Sequence, residues 1–395
     1  MEERYPAPEH FATARDQLHE LAASVAGAHD FGNPDYLPGL DMVLLSMDYD
    51  PHFTERGRRI AWGEVVSVLA SRALAVKSMR AHPGFERHDI ASPVVITGIP
   101  RTGTTALHKL MAVDARFQGL QGWLIGAPMP RPPRDTWAAH PLFQQAVERI
   151  ERRFAAIPGK RAAHDMAADE VDECCLVMRA GFCSNLWSCF WSAPSYDAWW
   201  QCQSELPSYR YLRRVLQLIG SNEPDKRWLL KNPGHIANLD LLFAVFPDAR
   251  VIQTHRDPAK AVPSLCSLLI KSHPVLELGR QELRAQLMGR RETAKWAKAV
   301  RDAEPVRQAH RAQVFDVVHG EFHREPLAVL RRIYDWLGMS LPAAVAADMQ
   351  ARIEAAPELA HGEHRYRVED FGLTADAIRA SFGDYLQRFG LHERR

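Results

Sequence analysis

The stretch ITGIPRTGTTALHKL, Ile96 to Leu110, constrains the chain more than any other. An apolar run, PVVITG (93–98), enters a glycine-containing turn and then a segment of helical period beginning near Thr104. That is the strand, loop, helix grammar of an anion-binding site. Gly98 and Gly103 have the spacing of the phosphate-loop template G-x-x-x-x-G-K-[ST], and Thr105 supplies its hydroxyl. Thr104 stands where the lysine belongs, however, and the cation is Arg101. The glycines admit an anion close to the backbone, and successive amides at a helix N-terminus add partial positive charge. Without the lysine that reaches the β and γ phosphates, metal-assisted phosphoryl transfer is disfavoured, and no metal is expected.

Three more strand-like runs follow, RWLLK (227–231), RVIQTH (250–255) and QVFDVVH (313–319). Between the first two, IANLDLLFAVFPD has helical period and stops at Pro247, so parallel strands with a right-handed crossover are predicted. The expected class is α/β: a P-loop-like open, mainly parallel sheet flanked by helices. Such a sheet binds ligands beyond the carboxyl ends of its strands, where Arg101, Lys231 and Arg256 converge. Residues 12–27 and 62–80 carry apolar positions three and four apart. Residues 1–90 are therefore expected to form a helical N-terminal cap and 91–395 the sheet-bearing domain. The stretches 117–165 and 270–312 read as insertions with helical parts, and LTADAIRASFGDYLQRFGL as one closing amphipathic helix.

A hydrophobic fraction of 46% over 395 residues supplies a sizeable core. Lys plus Arg number 49 against 48 Asp plus Glu, a formal charge of +1. That balance gives no global field for nucleic acid or an anionic membrane. With no long apolar run, stable membrane insertion is not expected, and a cytoplasmic protein is. Six cysteines without a C-x-x-C pair are expected to be reduced and mostly buried.

A second motif joins the first. In RVIQTHRDPAKAVPSL, Arg256 ends a strand and Ser264 follows eight residues later on the next helix, a pair suited to a second phosphate. With these motifs in this order, the chain resembles the sulfotransferases that use 3'-phosphoadenosine 5'-phosphosulfate (PAPS), in their bacterial-type branch. The family's PRSGTT or PKSGTT loop for the 5'-phosphosulfate is matched by Pro100, Arg101, Thr102, Gly103, Thr104 and Thr105. Its 3'-phosphate motif is matched by Arg256 and Ser264, and Lys231 in WLLKNPGH resembles a lysine that helps the leaving group. The resemblance implies PAPS as co-substrate, adenosine 3',5'-bisphosphate (PAP) as product and a small-molecule acceptor. The chain departs from the pattern where Tyr-Glu-Asp is common, reading His319-Gly320-Glu321, and it lacks the C-terminal RKG-type loop. His364, Arg365 and Tyr366 are candidate substitutes.

The resemblance assigns Arg101 and the loop amides to the phosphosulfate and Lys231 to charge on the bridging oxygen. An attacking hydroxyl or amine also needs a base. In HDMAADEVDECC, Glu170 and Glu173 are three apart and hence expected on one helical face, and in this branch an acidic phrase at this position often supplies the base. His235, four residues after Lys231, is the rival; the order of preference is Glu170, His235, Glu173. Trp187, Phe190, Trp191, Tyr196, Trp199 and Trp200 either line a slot for a lipophilic or aromatic acceptor or fill a core. Trp123, Met129 and Trp137 are candidates for a movable wall. The alternatives are a P-loop small-molecule kinase and a non-catalytic nucleotide-binding module. For a protein kinase, the HRD of His255-Arg256-Asp257 lacks its following asparagine, since Val262 stands there, and the DFG of Asp370-Phe371-Gly372 lies too far away.

Overall fold

The structure is a computed structural model that describes residues 5–156, 166–355 and 366–391. It contains two compact units. Residues 1–89, 120–224 and 269–281 make the first, and residues 90–119, 225–268 and 282–395 the second. Residues 89 and 90 fall in different units, and the insertion after residue 120 shares the first unit with the N-terminal helices.

The second unit is built on five parallel strands: β1 (Val94–Gly98), β2 (Phe117–Gln118), β3 (Arg227–Lys231), β4 (Arg250–His255) and β5 (Val314–Val318). Their order is β2-β3-β1-β4-β5. The Val-Val-Ile run of β1 is buried throughout and takes the centre, as a strand covered on both faces does. From β1 the chain builds the sheet to one side with β2 and β3, then to the other with β4 and β5. The carboxyl end of β1 is thus a topological switch point, where open α/β sheets bind ligands. Leu107, Met111, Leu330, Ile333 and Tyr334 pack with Val94, Ile96, Leu229 and Ile252 in one core.

The first unit is helical. Its long helices Arg15–Ala26, Leu37–Tyr49 and Glu55–Ala81 surround Trp62, Phe182, Trp187, Trp191 and Tyr196. Phe182 and Trp187 stack with centroids 5.2 Å apart, and Arg72, although almost fully buried, donates to the Phe31, Asn33 and Ala180 carbonyls. Among the described residues no helix is long and apolar enough to cross a membrane.

Several local expectations change. Of the six aromatics considered for an acceptor slot, Trp187, Trp191, Tyr196 and Trp200 are buried in the first unit's core; clustered apolar area is stabilised most by leaving water. Trp123 and Trp137 are likewise buried, edge to face at 5.5 Å, so they are packed rather than poised to move. The closing segment is two short helices, Ala375–Ser381 and Tyr385–Arg388, broken at Gly383 with φ +59°. All six cysteines are free, with Cys174, Cys183 and Cys266 buried and Cys202 exposed.

At Gly98 the sheet leaves no room. Its φ is +140°, and a Cβ there would lie 2.5 Å from the Thr254 carbonyl oxygen, across the β1–β4 pairing. Gly98→Ala is therefore expected to cost about 1–3 kcal/mol through overpacking and to lower Tm by about 1–4 °C. An unchanged Tm would mean that the two strands are not held this closely.

Candidate active site

The loop after β1 is set by backbone geometry before any ligand is considered. Arg101 adopts φ +69° and Gly103 φ +89°. The first is unusual for a residue with a side chain and is the kind of strain that ligand-binding loops hold. Gly103 is the N-cap of the helix Thr104–Met111, so the loop ends at helix amides that have no partner within the helix. Thr102 is fully buried and turns its hydroxyl inward, donating to the Ile99 carbonyl at 2.8 Å and lying 2.5 Å from the Thr254 hydroxyl. Its side chain therefore braces the loop, and only its backbone remains suited to an anion. Thr104 is buried too, while Pro100 is half-buried.

Side chains from three strand ends meet around this loop. Arg101 Nε donates to Ser264 Oγ at 3.1 Å, and Arg256 Nη1 donates to the Arg101 carbonyl at 2.9 Å. Lys231, with 1% of its surface exposed, donates from Nζ to Thr105 Oγ1 at 3.2 Å. The loop, the β3 lysine and the β4 Arg/Ser pair are thus one hydrogen-bonded cluster at the carboxyl ends of β1, β3 and β4. A cradle closed to a Cβ at Gly98, helix amides and three cations fits a ligand with two anionic groups. Ser264 sits on the helix Pro258–Leu269, whose start is fixed by Asp257. That carboxylate accepts from the Ala259 amide at 2.9 Å and pairs with Arg379. The HRD aspartate is consequently a cap, and its neighbour His255 is buried between Tyr385 and Asp316. Phe371 of the DFG triplet packs at Gly289.

The candidate bases lie in different places. His235 is fully buried in the turn Pro233–Asn238 after β3, in the same unit as the loop. Glu170 and Glu173 belong to the first unit, and they do not share a helical face. Residues 168–174 form turns and an antiparallel bridge, Gln121 opposite Val171, and helix begins only at Cys175. The acidic run there competes with helix through local side-chain bonds: Asp172 Oδ1 accepts from the Glu173 amide at 2.7 Å. Glu173 accepts from the Cys175 thiol at 3.3 Å. Tyr366 donates to the Lys260 carbonyl at 3.1 Å; His364 and Arg365 lie outside the described residues.

One residue at this site was missed as a candidate. His319 follows β5, and its Cδ2 lies 3.2 Å from where a Gly103 Cβ would stand, against the N-cap of the loop helix. Burial pushes its imidazole down to about 4, and the positive charges of Arg256, His323 and Lys260 push the same way. The only signal in the sequence was its position at a strand end where relatives carry another residue.

The sulfotransferase family profile matches residues 93–343, which span every element of this cluster. The chain belongs to the sulfotransferase family. Similar solved structures include a sulfotransferase, STF1, from Mycobacterium tuberculosis, 32% identical, covering 95% of this chain and all of that one with a TM-score of 0.84. Sulfotransferase STF9 from Mycobacterium avium is 27% identical over 96% of this chain and 97% of its own, with a TM-score of 0.87. A curated relative, the omega-hydroxy-beta-dihydromenaquinone-9 sulfotransferase Stf3 of Mycobacterium bovis, is 23% identical over 75% of each chain. These findings set aside the kinase reading and fix the P-loop-like fold for this sulfotransferase.

The charge state of His319 is open to measurement in the unliganded sulfotransferase. A histidine held neutral when folded but titrating near 6.5 when unfolded binds its proton first in the unfolded chain. Its stabilising contribution is therefore present above about pH 6.5 and is lost as pH falls toward 4. Tm followed from pH 7 to 4.5 is expected to fall more steeply in the wild type than in His319→Asn. Parallel curves would show that the folded protein does not hold this imidazole neutral.

Proposed function

We propose that this sulfotransferase takes PAPS as donor and passes its sulfonate to a hydroxyl, or an amine, of a small lipophilic acceptor by in-line attack. The observation that carries the reading is the direct linkage of the two anion motifs, Arg101 to Ser264 and Arg256 to the Arg101 carbonyl. Such a pair suits a nucleotide bearing phosphates on both the 5' and 3' positions. A triphosphate has no use for the second. In this reading Arg101 and the amides of Thr102 to Thr105 hold the 5' group, and Arg256 and Ser264 hold the 3'-phosphate.

Lys231, buried and already beside Thr105, is placed in this scheme to offset charge on the oxygen that leaves with PAP. The acceptor's oxygen forms the new bond to sulfur, the donor's sulfur–oxygen bond breaks, and the acceptor proton passes to a protein base. Glu170 is the preferred base, with His235 next and Glu173 third. The acceptor class draws support from the Mycobacterium bovis relative, whose name specifies an omega-hydroxylated menaquinone derivative. A hydroxyl on an apolar molecule is the feature taken from it.

The nucleotide is tested by thermal stabilisation, which follows ligand binding by mass action. PAP is expected to raise Tm, ATP with magnesium to leave it unchanged, and Arg256→Ala to weaken PAP far more than adenosine 5'-monophosphate. Equal responses to PAP and ATP would sink the donor assignment. For the base, Glu170→Gln is expected to lower turnover by about 10²–10⁴-fold with PAP affinity kept, and His235→Asn to lower it much less. The reverse order would transfer the role to His235. Turnover is read as PAP release in a screen of phenols, sterols and alkyl alcohols.

A further inference from the structure

The segment carrying Glu170 has no regular secondary structure of its own, so something else must hold it. Its backbone pairs with residues 120–123. Gly122 N–H donates to the Glu170 carbonyl at 3.2 Å, Trp123 N–H to the Ala168 carbonyl at 3.2 Å, and Asp172 N–H to the Leu120 carbonyl at 2.7 Å. Gln121 stands directly opposite Val171 in this short ribbon. Neighbouring side chains alternate across such a ribbon. Gln121 and Val171, directly opposite each other, share one side of it.

Behind the ribbon is a buried arginine. Arg131 keeps only 5% of its surface exposed; its Nε donates to Gln121 Oε1 at 3.2 Å, and its Nη1 is paired with Glu223. Its backbone is anchored as well. Arg131 N–H donates to the Ile219 carbonyl at 3.0 Å, and Asn222 Nδ2 donates to the Arg131 carbonyl at 3.0 Å, both at the end of the helix Leu206–Gly220. A guanidinium with fixed fork geometry transmits position better than a flexible ammonium. The helix Gly122–Gly126 that follows Gln121 is tied in turn to the Glu55–Ala81 helix, where Ser71 Oγ donates to the Ile125 carbonyl at 2.9 Å.

We propose that Arg131 is a positioning residue for the Glu170 carboxylate, acting through Gln121 and the 120–123/168–172 ribbon; the proposal rests on the reading of Glu170 as the base. The rigid helix end sets Arg131, Arg131 sets Gln121, and the ribbon hydrogen bonds carry that position to Glu170. The acidic segment lacks a helix to fix its reach, and this brace supplies the constraint.

The test is a double-mutant cycle in the full-length protein, with turnover read as PAP release from PAPS using the fastest alkyl alcohol of the screen. Gln121→Leu is the leading variant, because it cuts the brace while leaving the Arg131–Glu223 pair; Arg131→Met and Arg131→Lys accompany it. Gln121→Leu and Arg131→Met are each expected to lower kcat roughly ten- to a hundredfold, the scale of a misplaced reacting group, with PAP affinity unchanged. Arg131→Lys is expected to recover only part of the loss. In the Glu170→Gln background either substitution is expected to change kcat less than twofold. Equal losses in both backgrounds would overturn the positioning role and leave Glu170 as the base. An active Glu170→Gln enzyme would overturn the base assignment, and the proposal with it.

Discussion

Everything at the proposed nucleotide site depends on how closely β1 and β4 run together at their carboxyl ends. Gly98 lies against Thr254 with no space for a Cβ, and Thr102 and Thr254 bring their hydroxyls together just beyond. This contact turns the chain sharply out of β1. Arg101 is left in a left-handed conformation, with its carbonyl presented to Arg256 and its guanidinium to Ser264. Loosening the strands would separate the two halves of the anion site, since one half leaves β1 and the other leaves β4. Backbone packing in the sheet is thus coupled directly to the spacing of cations at its edge.

Those cations are few and local, which accords with a chain whose acids and bases nearly cancel. Arg101, Lys231 and Arg256 each make a hydrogen bond to the loop or the helix beside it, so the site is preorganised and needs little rearrangement to meet an anion. His319 adds a neutral imidazole in the same neighbourhood, kept uncharged by burial and by the positive groups around it. Another cation there would add to the repulsion; an uncharged ring fills the space against Gly103 without it.

The proposed site residues are split between the two units in a way that the linear order of the chain conceals. The second unit holds every residue matched to the nucleotide motifs, together with Lys231 and His235, whereas Glu170 sits in the first unit on a ribbon braced by a buried arginine. The buried aromatics of residues 187–200 serve that unit's core.

The sequence by itself determined four of the five strands, all but the two-residue β2, together with the loop and the order of the two anion motifs, because these depend on short-range facts. A buried strand must be a run of apolar residues, a close backbone approach must be glycine, and a phosphate clamp must carry cations at set spacings. Only the tertiary structure decided that Thr102 braces the loop, that Arg101 bonds Ser264 across 163 positions of sequence, and that His319 reaches Gly103. It also decided that the segment around Glu170 is a ribbon instead of a helix, and that the closing helix breaks at Gly383. Each of those outcomes turns on a competitor far away in the chain or on a backbone hydrogen bond. Local periodicity registers neither, since it records which residues prefer burial and not which partners are there to meet them.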